Sequence, residues 1–218
     1  MADAVKVFLL TLSALFPIVD PLAGSPLFLA LTEKYSRETR KALSGRVALN
    51  SLFLLVGSYF IGTHVLKFFG VSLPVVQVAG GLVVISIGWG MLMQKEDVAR
   101  ENVQSSDHDV FGRAFYPLTL PLTVGPGSIS VAITLGANST PHYGFRIWPI
   151  LAALIAMGLI AVSIYLCYAF ADQLARVLGK TGITVIVRLS SFLLVCIGVQ
   201  IMWNGISALL SSLHFHAS

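Results

Sequence analysis

A ten-residue segment, Pro17-Ile18-Val19-Asp20-Pro21-Leu22-Ala23-Gly24-Ser25-Pro26, interrupts an apolar run that extends from Val7 to Thr32. One continuous helix cannot absorb it. Each interior proline removes a hydrogen-bond donor and collides with the preceding turn, at about 3 kcal/mol. A carboxylate at bilayer depth adds roughly 2.5 kcal/mol. The pattern returns at Pro117-Leu118-Thr119-Leu120-Pro121-Leu122-Thr123-Val124-Gly125-Pro126. There Pro117, Pro121, Pro126 and Leu122 each stand 100 residues after Pro17, Pro21, Pro26 and Leu22. The two segments read as breaks in two transmembrane helices, one in each of two related halves.

The lengths of the charge-free runs set the class. Residues 47–66, 68–94, 114–145, 147–171 and 189–218 contain no Asp, Glu, Lys or Arg, and residues 7–32 contain only Asp20. A spanning helix needs about 20 apolar residues. The runs therefore predict six spans, near 5–32, 46–67, 73–93, 114–137, 147–170 and 187–210. The fold class is all-α: a polytopic membrane protein of six transmembrane helices. Only 11% of the residues are charged, against about 25% in soluble domains, and little chain is left for a soluble domain. Lys6 makes a weak positive region, but the run continues into the break without a cleavage site, so the N-terminal segment is read as a span and not a signal peptide.

The basic residues orient the spans. Lys34, Arg37, Arg40, Lys41 and Arg46 fall in the first connection, Lys95, Arg100 and Arg113 in the third, and Arg176, Lys180 and Arg188 in the fifth. Lys6, Lys67 and Arg146 are the three on the other side. The positive-inside rule then places both termini on the periplasmic side of a bacterial inner membrane. The net charge of +4 follows this topology and does not point to nucleic acid.

The other chemistry-bearing residues read quietly. Cys167 and Cys196 lie within spans and are expected to be small buried apolar groups. The triplet Asp107-His108-Asp109 lacks the geometry of a metal site. Gly179-Lys180-Thr181-Gly182 has no earlier glycine at phosphate-loop spacing and reads as a turn between helices. His64 reads as interfacial and His216 as part of a short tail. Arg188, at the inner end of a span, either snorkels to the interface or pairs with a functional carboxylate. No catalytic residue, metal ligand or cofactor is expected, and the chain is not read as an enzyme; coupling to H+ or Na+ is open.

The halves divide as residues 1–95, a cytoplasmic linker at 96–112, and residues 113–218. The third helices also correspond, at an offset of 110: Gly80-Gly81 fall on Ser190-Ser191, and Gly88 on Gly198. Three spans per half is an odd number, so the halves are inverted repeats with a broken first helix. That is the pattern of secondary transporters, which bind solute near the midplane. Unwound backbone survives in a membrane only where protein or a wet cavity covers it, so both breaks are expected to face the bundle interior. Ser25 and Gly125 suit caps, and Pro26 and Pro126 suit first helical positions. Two helix N-termini then approach the midplane, where they favour an anionic group. Freed carbonyls and Asp20 suit a cation. The candidate binding set is Asp20, Pro21, Gly24, Ser25, Thr123, Gly125, Pro126, Gly127 and Ser128, fitted to a small zwitterion such as a neutral amino acid. Asp20 has two open roles, holding the break or handling solute.

The chain resembles the MarC family of six-span bacterial membrane proteins, which includes SnatA-type neutral amino acid transporters. The resemblance rests on Asp20-Pro21-Leu22 with Pro26; Pro121 with Thr123 and Gly125-Pro126-Gly127; Ala79-Gly80-Gly81; and Arg188-Leu189 leading to Gly198-Val199-Gln200 and Asn204-Gly205. It implies an inner-membrane protein that moves small neutral amino acids such as alanine or glycine. Two rival readings are an aquaporin-like channel, also built from opposed half-helices, and a membrane protein with a non-transport role. An intramembrane aspartyl protease would need a second carboxylate beside Asp20.

Overall fold

The computed structural model describes residues 2–93, 112–143 and 147–214. All the regular structure among them is helical. The helices are α1 (Ala2–Val19), α2 (Pro21–Leu31), α3 (Arg37–Phe68), α4 (Leu73–Met93), α5 (Pro126–Tyr143), α6 (Ile147–Ala169) and α7 (Ala171–His214). A short 3-10 turn at Gly112–Ala114 and an irregular, wide-turned stretch at Phe115–Thr123 precede α5. The triplet Asp107-His108-Asp109 and all of the expected linker except Gly112 lie outside the described residues.

Among the described residues, five segments are long and apolar enough to cross a membrane: Asp3–Leu31, Arg37–Phe68, Leu73–Met93, Ile147–Ala169 and Thr181–Ser212. The expected span at 114–137 is instead divided between the wide-turned stretch and α5. Large apolar side chains cover the outside, among them Phe53, Trp89, Ile155 and Phe192. In water such a surface would drive aggregation; in a bilayer it is the solvent-facing side. The core runs along α1, α2, α3 and α6, where Leu15, Phe28, Leu43, Leu55, Ile160 and Ile164 are fully covered. Cys196 is exposed and Cys167 only half-buried, so the expectation that both are buried is corrected: the face of α7 that carries Cys196 is not packed on another helix.

Helix ends follow local chemistry. α3 starts nine residues before the predicted span because Ser36 caps it, accepting from the Thr39 N–H at 3.2 Å. It stops at Gly70, whose φ of +67° suits a residue without a Cβ. The Val71 and Gly70 N–H groups there close onto the Leu66 and Lys67 carbonyls. The expected turn at 179–182 is a one-residue kink inside α7. Gly179 has φ 63° and ψ 175°, a conformation open essentially to glycine alone. Arg40 of α3 pairs with Asp172 of α7 at 2.8 Å and ties these two helix starts together.

The tightest packing joins α4 and α7, antiparallel. A Cβ added to Gly81 would lie 2.6 Å from the Gly198 carbonyl oxygen, and one added to Gly88 would lie 2.9 Å from that of Ser191. Gly205 meets the Pro74 carbonyl in the same way, at 2.6 Å. These residues recur every seven positions, so one stripe of each helix brings backbone against backbone, as small residues do between membrane helices. Gly136 of α5 likewise sits against the Tyr59 backbone of α3.

A side chain in this seam meets backbone, which cannot move aside. Gly81→Ala is therefore expected to lower stability by roughly 2 kcal/mol. Gly90→Ala, with nothing within 4 Å of the added atom, is expected to stabilise the helix slightly. Thermal unfolding of the purified variants in one detergent checks the contrast.

Candidate functional site

The two proline segments solve the same backbone problem differently. In the first, α1 runs through Pro17 to Val19 and the chain breaks at a single residue. Asp20 is left-handed, with φ 39° and ψ 67°, and its carboxylate accepts from the Ala23 N–H at 3.2 Å. Asp20 is thus the N-cap, and Pro21 takes the first helical position, where its missing donor does no harm. The expectation that Ser25 caps a helix beginning at Pro26 is corrected. An acidic cap was available five residues earlier, so the helix restarts there. Pro26 lies inside α2 and cannot donate to the Leu22 carbonyl; the Ser25 hydroxyl donates to that oxygen instead, at 2.9 Å.

In the second segment the position corresponding to Asp20 is Leu120, which has no capping group. It is extended, with φ −107° and ψ 127°. Regular helix resumes only at Pro126, in agreement with the sequence reading for Gly125 and Pro126. The Gly125 carbonyl accepts from the Ile129 N–H at 3.1 Å and from the Ser128 hydroxyl at 3.0 Å. Around the break, the Thr119 and Thr123 hydroxyls donate to the Ala114 and Leu118 carbonyls at 2.6 and 2.7 Å. Polar side chains thus serve backbone oxygens where the regular ladder is interrupted.

A small cavity opens at this second break. Thr123, Gly125, Gly127 and Ser128 form its polar side. Ile18, Val84, Ile87, Leu122 and Leu194, from α1, α4, the wide-turned stretch and α7, form its apolar wall. Its volume of about 50 Å³ compares with roughly 10–15 Å³ for one water, so it admits a few waters or one very small solute. Gly127 is required there: a Cβ would run into Val84. Pro126 is exposed and stands at the start of α5 beside the cavity.

Asp20, Pro21, Gly24 and Ser25 do not line this cavity. Of these, Gly24 lies against Tyr168, a residue of α6. Tyr168 is buried, its ring stacks on Phe28 of α2 at 4.5 Å, and its hydroxyl lies 2.9 Å from Thr123 Oγ1. A Cβ on Gly24 would lie 2.6 Å from that hydroxyl, so the absence of a side chain at Gly24 is what lets Tyr168 reach Thr123. The two broken segments thus meet through one tyrosine. Ser190 of α7 approaches the Asp20 carboxylate, and Arg188 is exposed. Among the described residues no group of three His, Cys, Asp or Glu could hold a metal ion.

Comparison with known proteins adds the following. The model of the MarC family, integral membrane proteins, matches residues 5–210. The inner membrane protein MarC of Salmonella typhimurium is 33% identical over 98% of this chain and 100% of its own length. The proteins of the same description from Salmonella paratyphi A and Escherichia coli are 32% identical with the same coverage. No solved structure matches the chain.

The cap geometry separates charge from hydrogen bonding at Asp20. Asp20→Asn keeps an accepting oxygen and tolerates the left-handed backbone, so its stability is expected to stay within a few tenths of a kcal/mol of the parent. Asp20→Ala loses the cap, about 1 kcal/mol, and with it the local hydrogen bond that eases the left-handed backbone. Unfolding in detergent measures both; equal losses would assign the stabilisation to the charge.

Proposed function

The chain belongs to the MarC family of integral membrane proteins, and from that premise we propose that it is a secondary transporter of small neutral amino acids, such as alanine or glycine, in a bacterial inner membrane. The cavity at the second break carries this reading. Gly127 and Ser128 line it in the first turn of α5, where a helix leaves N–H groups without intrahelical partners and the dipole favours a carboxylate. Hydroxyl oxygens of Thr123 and Ser128 lie beside them. The apolar wall suits a short aliphatic side chain, and the volume suits the smallest amino acids.

Thr123, Gly125, Gly127 and Ser128 are the proposed solute contacts, with Pro126 setting the helix start. Asp20, Pro21, Gly24 and Ser25 hold the opposing helix against them through Tyr168. Two inverted repeats and alternating access complete the proposal. The helix pairings support it, because they are reciprocal under exchange of halves: α1 packs on α6 as the wide-turned stretch packs on α3, α2 on α6 as α5 on α3, and α2 on α7 as α5 on α4. The seam is reciprocal too, with Gly81 against Gly198 and Gly88 against Ser191. The basic-residue bias supports periplasmic termini.

Purified protein in proteoliposomes is expected to take up labelled alanine or glycine saturably, with stimulation by unlabelled substrate on the far side. Flux linear in concentration would favour a pore and overturn the transporter reading. Gly125→Leu fills the cavity and is expected to abolish uptake. A compartment-specific reporter fused to either terminus is expected to be active only on the periplasmic side.

A further inference from the structure

We infer that Tyr168 is a positioning residue that fixes Thr123 as a hydrogen-bond acceptor, so that the cavity selects solutes by a donor group, an ammonium. The inference rests on the transport reading and specifies how its site discriminates. It follows from counting protons. A threonine hydroxyl has one hydrogen and two lone pairs. Thr123 Oγ1 lies 2.7 Å from the Leu118 carbonyl, which cannot donate, so the threonine hydrogen is committed there. The 2.9 Å contact with Tyr168 must then run from the tyrosine O–H to Thr123. One threonine lone pair is thereby occupied, and a single lone pair remains for the cavity that Thr123 lines.

Ser128 reaches the same polarity independently. Its hydroxyl hydrogen is directed to the Gly125 carbonyl, 3.0 Å away, so its oxygen also offers only lone pairs. Both hydroxyls at the cavity are therefore acceptors, while the α5 start supplies the donors. The cationic end of a zwitterion is thus recognised at the second break itself and not by Asp20, which does not line the cavity. Tyr168 is held in place to do this. It is 1% exposed, its ring is stacked on Phe28, and its hydroxyl is lodged against Gly24. Without the tyrosine O–H, Thr123 loses the contact across from Leu118 that holds its oxygen, and its remaining lone pair is no longer kept aimed at solute.

The test uses the full chain in proteoliposomes, with alanine uptake competed by lactate and propionate, which keep the carboxylate and lack the ammonium. For the parent, neither analogue is expected to compete appreciably. Tyr168→Phe, which removes only the hydroxyl, is expected to raise the KM for alanine about tenfold, the scale of one hydrogen bond to a charged group, with Vmax nearly unchanged and lactate competing better. Thr123→Val should raise KM at least as much. Thr123→Ser should restore parental behaviour, and the double variant Tyr168→Phe/Thr123→Val should be no worse than Thr123→Val alone. Unchanged alanine KM in Tyr168→Phe, or equal competition by lactate and alanine in the parent, overturns this inference and leaves the transport reading standing. Failure of the parent to move any small amino acid overturns both.

Discussion

A proline in a bilayer removes a backbone donor where no water can take its place, and this constraint organises the molecule. Every carbonyl that loses its helical partner must find another within the protein or line a wet space. The chain answers with hydroxyls and one carboxylate. Ser25 serves the Leu22 carbonyl, Thr119 and Thr123 serve Ala114 and Leu118, and Asp20 receives the Ala23 N–H. These polar groups therefore belong to the break before they belong to any site. Their availability to a solute is what remains after the backbone has been satisfied, and that remainder gives the cavity its chemical polarity.

The two breaks differ at corresponding positions. Asp20 caps, so the first helix restarts at once and the interruption is a single residue. Leu120, its counterpart, has no capping group, and the second interruption, already non-helical at Tyr116, extends to Val124 beside the cavity. Two segments with the same proline spacing thus divide their roles. The first is a tightly capped one-residue break, and the second is open backbone beside a void.

The opened region is supported by rigid packing on either side. α4 and α7 meet backbone to backbone along a stripe of small residues, and α6 presents Tyr168 from its last turn. Gly24 and Gly127 are both sites of close approach, one admitting the tyrosine hydroxyl and the other admitting Val84. Close contact at glycine is how helices without a hydrophobic driving force between them hold a fixed register in lipid.

Much of this was legible in the residues themselves. Membrane class, the two breaks, the helix start at Pro126 and the small-residue positions Gly81, Gly88 and Gly198 all follow from proline spacing, charge-free run length and side-chain size, which are properties of the local chain. The restart at Pro21 was readable in principle, since an Asp before a proline is an N-terminal signal, but Ser25-Pro26 carried a competing one. Only the tertiary structure decided that Thr123, Gly125, Gly127 and Ser128 share a cavity while Asp20 stands apart, and that Tyr168, 45 positions from Thr123, joins the two breaks. An aromatic in an apolar span has no periodicity that distinguishes a lipid-facing ring from a buried one. What it touches depends on how α6 is rotated and how closely Gly24 lets it approach, and those are set by the packing of whole helices.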